Sequence, residues 1–531
     1  MRSTLKGKAL IAAMAAACMI SLPAVAADLK IGFKSDITSA DPHVLSGANR
    51  NLWAHIYEGL VEQDENLRPK PALAVSWSTV DQTTWEFKLR PNVSFHNGAT
   101  LTADDVKYSI ERAIALKGPR TFRTYLKGIE SVNVAGPLTV RIKTNGPQPN
   151  LADNLSLIAI IPKSLGADVP EESFAKGATA IGTGPYKFGT WEHGQRVTFT
   201  RNANYWGAKE PWDNVIFQIL ARDPARASAL LAGTVDLIDG ATSKVADSFG
   251  QGGKFEMAST TSYMLNYIQL DHFRDNSPYI KSNTGAPLPK NPLRDLKVRQ
   301  AIMHAINRDG IIKFLMKGDG EAANQYVPKT FFGYDPSLKL PPFDLQKAKS
   351  LLAEAGYADG FKMTMHCTND RYVNDAKMCE AVAQSLNQIG LKVELSTMPY
   401  SVFIGRATKG DNGASEFSFF MVGTGAVTGD SLQPLSSIAH TVDAKSGFGA
   451  NNYGQYSNKE VDSLIEKAAV TLDEKARTGL QQTAAQKALL DGAIIPLIHV
   501  KASWAFKKGL AITPRSDGFT HAMNIRETSA K

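Results

Sequence analysis

Between Trp85 and Arg90 the chain alternates strictly, with Trp85, Phe87 and Leu89 apolar and Glu86, Lys88 and Arg90 charged. A period of two predicts a strand with one face on a core and the other toward water. Pro91-Asn92-Val93 supplies a turn, and Thr102-Ala103-Asp104-Asp105 reads as a helix opening. Thr102 is placed to cap that helix, and the acids meet the positive end of its dipole. Alternation returns over Thr139–Lys143, after Gly136-Pro137. Gly182-Thr183-Gly184-Pro185-Tyr186 predicts a tight turn into a strand pair around Val197-Thr198-Phe199. Further on the period becomes helical. Asp295 opens a helix through Val298, Ile302, Ala305 and Ile306. Asp344 caps another, carrying Leu345, Ala348, Leu351, Leu352 and Ala355 and closed by Gly356; a third runs from Asp375 to Ile389 and ends at Gly390. Strands and helices mix irregularly and nothing repeats, which predicts α/β lobes interrupted by insertions. Asn283-Thr284-Gly285-Ala286-Pro287-Leu288-Pro289 is the expected linker.

The first residues follow another pattern. Arg2, Lys6 and Lys8 precede an apolar run from Ala9 to Leu22, and Pro23-Ala24-Val25-Ala26-Ala27 then supplies small residues. This predicts a signal peptide over 1–26, cut after Ala26 or Ala27. The run of about 14 residues is short of the roughly 20 that span a bilayer. Ala15-Ala16-Ala17-Cys18 loosely imitates a lipoprotein cleavage site, but apolar residues continue past Cys18. Export as a soluble protein to the periplasm is therefore expected. The 531 residues are 43% hydrophobic, ample for more than one core. The net charge of +8 is spread along the chain, three of its positive charges lying in the leader, and no basic run suggests nucleic acid.

The motifs of catalysis are missing. There is no HExxH, no CxxC and no G-x-S-x-G elbow. Gly250-Gln251-Gly252-Gly253-Lys254 lacks the upstream glycine and the Ser/Thr of a phosphate loop, and Gly423–Gly429 is off-spacing for a dinucleotide fingerprint. The 10 histidines show no ligand spacing, so no catalytic residue, resident metal or cofactor is expected. Cys367 and Cys379, the two cysteines beyond the leader, are candidates for a disulfide in an oxidising compartment. The alternative is a buried free thiol, since Cys379 shares a helical face with Val382, Ala383 and Leu386.

Four stretches in order carry a resemblance: Pro71–Val106, Gly182–Tyr186, Arg201-Asn202-Ala203-Asn204-Tyr205-Trp206, and Pro292-Leu293-Arg294-Asp295 through Ala305-Ile306-Asn307-Arg308. Together they resemble the family 5 extracellular solute-binding proteins, which feed dipeptide- and oligopeptide-type ABC importers. The resemblance covers essentially the whole chain after the leader. It implies an α/β, two-lobed periplasmic binding protein-like fold (type II, cluster C) with an extra inserted domain. Lobe I is expected over 27–70, 186–289 and 501–531, the inserted domain over 71–185, and the ligand-closing lobe II over 290–500.

Ligand capture needs groups that converge on a cleft. Asn369-Asp370-Arg371-Tyr372-Val373-Asn374 lies between an expected strand and helix, where α/β lobes place binding residues. Arg371 offers a planar fork suited to a carboxylate, and dipeptide-binding relatives place a carboxylate-binding arginine in the corresponding loop. In the loop Phe419–Asp430, peptide-binding relatives carry a Trp where this chain has Thr424, and an amine-binding aspartate where it has Val427. Asp430 is the acid left there, to take the amine or to cap the turn. Ser46 and Gly47 match a loop that touches the ligand backbone in relatives, glycine permitting close approach. Tyr400 and Phe420 are candidate apolar walls, with packing in the core as the alternative.

The expected function is thus a monomeric receptor, not an enzyme. It would close on a short peptide or a related amine/carboxylate solute and deliver it to inner-membrane ABC permease subunits. The same fold serves metal chelates, opines or oligosaccharides as alternatives, and a periplasmic chaperone or murein-peptide scavenger is the alternative of another class.

Overall fold

The computed structural model describes residues 27–528 apart from 119, 167–168, 176, 250–252 and 409–413. The leader and its cleavage site lie outside the described residues. Two long strands, Phe255–Leu270 and Ile495–Lys507, run antiparallel through the middle of a 12-stranded sheet. On one side follow Leu237–Asp239, Asp28–Phe33, Asn214–Ile219, Arg196–Arg201 and Tyr186–Glu192. On the other lie Phe419–Gly425, Lys362–Thr368 and Ile280–Lys281, with Lys392–Met398 also paired to Lys362–Thr368.

The long pair breaks register between Thr261 and Leu265. Before the break Phe255–Thr261 pair with Lys507–Lys501; beyond it the strand pairs with Ile495–His499 and with Phe419–Gly425. The long pairing is thus interrupted around 262–264, while the stretch expected as a linker is the Gly/Pro-rich 283–289. That stretch is a turn at the sheet margin, where Lys281 bridges Pro287. An interruption made inside a paired strand needs no breaker residues, so it leaves no local signal.

A separate four-stranded sheet is built from Ala74–Thr79, Thr84–Leu89, Thr139–Thr144 and Ile129–Gly136. Phe87 and Leu89 point into its core, and Trp85 packs at the edge. The helix Ala103–Ala115 covers it, burying Val106, Ile110 and Ala113. Its first turn is fixed by Asp105, whose carboxylate accepts from both the backbone N–H and the hydroxyl of Thr102, each at 2.8 Å. Gly182 and Gly184 join this unit to the first lobe. A Cβ at Gly182 would lie 2.1 Å from the Ile56 carbonyl oxygen, so only glycine lets the two main chains meet.

In the second lobe the helices Leu296–Ala305, Leu345–Glu354 and Asp375–Asn387 pack on the sheet through Ile302, Leu352, Val382 and Met365. Asp295 accepts from Lys297 N and Asp344 from Lys347 N, both at 2.9 Å, so both helices start at the expected caps. Cys367, near the end of Lys362–Thr368, is joined by a disulfide to Cys379 in the second turn of Asp375–Asn387. The bond staples the strand to the helix around the loop that carries Arg371. Thiol labelling of denatured, unreduced protein lacking the leader is expected to find no free cysteine. Reduction is expected to cost about 3 kcal/mol of stability, for a closed loop of this size. Two free thiols per chain would overturn the pairing.

Candidate functional site

One carboxylate shapes the loop after Lys362–Thr368. Asp375 is buried, and its Oδ2 accepts from the Thr368 hydroxyl at 2.7 Å, Arg371 N at 3.0 Å and Tyr372 N at 3.2 Å. Gathering those donors inward leaves Arg371 exposed, while Tyr372 packs against the second lobe's core. The Arg371 guanidinium lies 4.6 Å from the centroid of Tyr400, whose own N–H is held at 2.7 Å by Asp370. Tyr372 reaches the neighbouring strand and accepts from Gly423 N at 2.8 Å. A Cβ at Gly423 would lie 2.6 Å from the Tyr372 ring, and one at Gly425 would lie 2.2 Å from Tyr263. Glycine at these two positions lets the aromatic rings lie directly on the strand.

Tyr263 stands at the break in the long pairing. Burial pushes its phenol up and Asp517 adds to that, while Arg50 from the first lobe and Arg371 from the second pull it down. Both arginines thus bear on the Tyr263 phenol. Arg50 follows Ser46 and Gly47 in the helix Gly47–Trp53. It donates to Gln63 Oε1 at 3.3 Å and faces the Phe519 ring at 5.4 Å. Among the described residues neither Arg50 nor Arg371 forms an ion pair; Asp517, the acid nearest Arg50, is taken by Arg515 at 2.7 Å.

The lobes touch around this centre. Gln63 donates to Val427 O at 2.8 Å, Arg68 to Thr330 O at 3.0 Å and Lys127 to Ser446 O at 2.9 Å. Leu67 packs with Val327, Phe331 and Ala426. Beside these contacts a cavity of about 520 Å³ opens between residues 124–154 and the second lobe, with Thr424, Gly425 and Val427 in its wall. A second cavity of about 320 Å³ involves only the first lobe and the inserted segment. It contains Glu58, held by Tyr205 and Trp206 at 2.9 Å each, whose carboxyl burial pushes up to about 8. It does not lie between the closing parts.

The expected site residues are dispersed: Arg371 and Tyr400 lie together on the second lobe, and Thr424 lines the cavity that faces residues 124–154. Phe420 is 0% exposed and packs on Phe403 and Phe417, which makes it core and not a wall of the cleft. Asp430 is 2% exposed and accepts from Leu432 N at 2.7 Å and Gln481 Nε2 at 2.9 Å. Those contacts fit the turn-capping role and keep the carboxylate away from Arg371. Ser46 is half-buried and offers its main-chain oxygen to Arg50 N at 3.0 Å, while Gly47 is exposed with open space beside it. Arg50, Tyr125, Tyr263 and Tyr372 carry no motif. The alternating glycines Gly423 and Gly425 were the signal that large rings press on this strand.

An arrangement of two lobes, a shared pair of strands and a lined gap between them is that of a binding protein that closes on a solute. A family model for the bacterial extracellular solute-binding proteins, family 5 middle, matches residues 68–446, and the chain belongs to that family. Among curated relatives, the glutathione-binding protein GsiB of Salmonella typhi is 27% identical over 93% of each chain. Among solved structures, HbpA2 from Haemophilus parasuis has a TM-score of 0.80 at 24% identity, covering 94% of this chain and 100% of its own. The periplasmic binding protein DppA from Helicobacter pylori, in complex with the peptide STSA, has a TM-score of 0.73 at 25% identity, covering 94% and 98%. Family 5 proteins are periplasmic solute-binding components of ABC importers and work with ABC permeases. Among the described residues no helix is long and apolar enough to cross a membrane.

One further feature of the closed interface titrates. Asp153, from the helix Leu151–Leu155, faces Asp430 and Glu474, with Arg477 as the opposing charge. Burial first, then Asp430, pushes its carboxyl up to about 8. A free aspartate titrates near 3.9, so the folded, closed form binds a proton that the unfolded chain releases. Stability from this group is complete below about pH 4 and is lost as pH rises toward 8. Asp153→Asn is expected to flatten the melting profile between pH 5 and pH 8 and to raise the melting temperature at the upper end. Parallel profiles for the two proteins would contradict this.

Proposed function

We propose that this protein captures a short peptide or a related peptide-like carboxylate and presents it to its permease. The observation that carries the reading is Arg371, exposed on the Asp375-centred loop, stacked on Tyr400 and without an ion pair among the described residues. A guanidinium fork so placed can take both oxygens of a carboxylate, a geometry lysine cannot reproduce. The chemistry of similar proteins supports the class, since GsiB is named for glutathione and DppA was solved with a peptide. Ser46 and Gly47 would meet the ligand's main chain from the first lobe, Tyr400 would flank it, and Thr424 would line the adjoining cavity. Closure follows when one solute contacts both lobes, because only the closed arrangement makes all the contacts.

Saturating ligand is expected to raise the melting temperature, by the equivalent of about 2.7 kcal/mol at a hundredfold excess over Kd. In calorimetry, Arg371→Ala is expected to lose about 2–5 kcal/mol of affinity for a carboxylate-bearing ligand, roughly thirtyfold or more. The ligand-free melting temperature should not change, because Arg371 is exposed and supports no core contact. Arg371→Lys should recover only part of the loss. Unchanged affinity in Arg371→Ala would move the anion site elsewhere.

A further inference from the structure

The loop 369–374 joins a strand and a helix that are fastened to each other without it. Cys367 and Cys379 link them covalently, and Met365, Met378, Val382 and Leu386 place them in one apolar core. What shapes the loop itself is Asp375. This carboxylate is 4% exposed, and among the described residues no lysine or arginine pairs with it. A buried charge without a counter-ion is tolerated only where hydrogen bonds replace its hydration. Here the donors are the Thr368 hydroxyl and the main-chain N–H groups of Arg371 and Tyr372 on Oδ2, with Ala376 N at 2.9 Å on Oδ1. Two of the four donors are thus amides of the loop.

The rest of the loop is tied down on either side of Arg371. Asp370 accepts from Tyr400 N at 2.7 Å, which fastens the loop to the helix Tyr400–Thr408. Tyr372 accepts from Gly423 N at 2.8 Å, which fastens it to the strand Phe419–Gly425. Asn374 takes a left-handed conformation at φ 56° and turns the chain immediately before Asp375; asparagine adopts that conformation more readily than most residues. The main chain at Arg371 is therefore fixed from three directions, while its side chain stays exposed beside Tyr400. A group whose backbone is already ordered loses less freedom when it binds, and affinity rises by that saving.

We propose that Asp375 is a positioning residue for solute capture: by holding Arg371 N and Tyr372 N it keeps the loop ordered before the solute arrives, so that Arg371 meets a carboxylate without first being organised. Asp375 is buried and acts through Arg371, not on the solute. The inference rests on reading Arg371 as the anion anchor and adds the residue that presents it.

A double-mutant cycle read by calorimetry, with glutathione and the peptide STSA as probes, separates the two claims. Asp375→Ala is expected to weaken the tighter probe at least tenfold. Added to Arg371→Ala, the same substitution is expected to change Kd less than threefold, because nothing is left to position. Equal losses in both backgrounds, or wild-type affinity in Asp375→Ala, overturn the inference and leave the anchor standing. Wild-type affinity in Arg371→Ala overturns the anchor and the inference with it. Amide hydrogen exchange on ligand-free protein tests the loop without any solute. The Arg371 and Tyr372 amides are expected to be protected in the wild type and in Arg371→Ala, and to exchange at least tenfold faster in Asp375→Ala. The helix Asp375–Asn387 beyond its first turn should keep its protection, since the disulfide still holds it. Fast exchange of the two loop amides in the wild type overturns the inference. If neither probe binds the wild type, the peptide reading falls and the exchange result alone decides the positioning claim. Should Asp375→Ala fail to fold, Asp375→Asn, which keeps the side chain's shape, takes its place in both measurements.

Discussion

The antiparallel pairing of Phe255–Leu270 with Ile495–Lys507 is the constraint on which the rest of the molecule depends. Both strands belong to both lobes, so every contact across the cleft is referred to one continuous piece of sheet. The ladder breaks around 262–264, and a side chain repairs it. Ser262 donates to Val500 O at 2.7 Å and accepts from Met264 N at 3.2 Å, replacing main-chain bonds lost at the break. A paired strand interrupted over three residues can bend there without exposing a long unbonded edge. It also fixes Tyr263 there, where both arginines bear on its phenol.

What the sequence made legible follows the range of the interactions. Period-two alternation at Trp85–Arg90 and the capping residues Thr102, Asp295 and Asp344 act over four or five positions, and each local element is found where that pattern places it. The loop at Arg371 was also readable, because its organiser, Asp375, is four residues away. The break in the long pairing was not, since its signal is a register change between strands more than 200 residues apart. Asp430 and Phe420 fail as cleft residues for a related reason. Whether an acid caps a turn or faces a ligand depends on Gln481, a partner from a distant helix. Phe420 is buried by Phe403 and Phe417, which local spacing does not place on its face of the strand. Arg50 carries no motif at all. Its influence on Tyr263 is a fact of tertiary structure only.

The contacts that hold the lobes together are modest, and this bears on how such a receptor responds. Gln63, Arg68 and Lys127 all donate to main-chain carbonyls, and Lys127 makes its contact at the surface. Hydrogen bonds of this kind contribute about 0.5–1.5 kcal/mol each, less where water competes. The apolar patch of Leu67, Val327, Phe331 and Ala426 is small, and the buried carboxyls of Asp153 and Asp430 oppose one another across the same interface. A latch so balanced leaves the empty protein free to open. To move a two-state equilibrium from 1:99 to 99:1 a ligand must favour the closed state by about 5.5 kcal/mol. Close charge pairs across an interface couple by about 1.5–7 kcal/mol, so one anion anchor covers that shift only at the strong end of the range. Contacts that exist only when residues 124–154 and 424–451 face each other add to it, and a cavity is formed by that meeting. On the proposed reading, a solute that meets Arg371 and also reaches this cavity gains its second set of contacts only by drawing the lobes together.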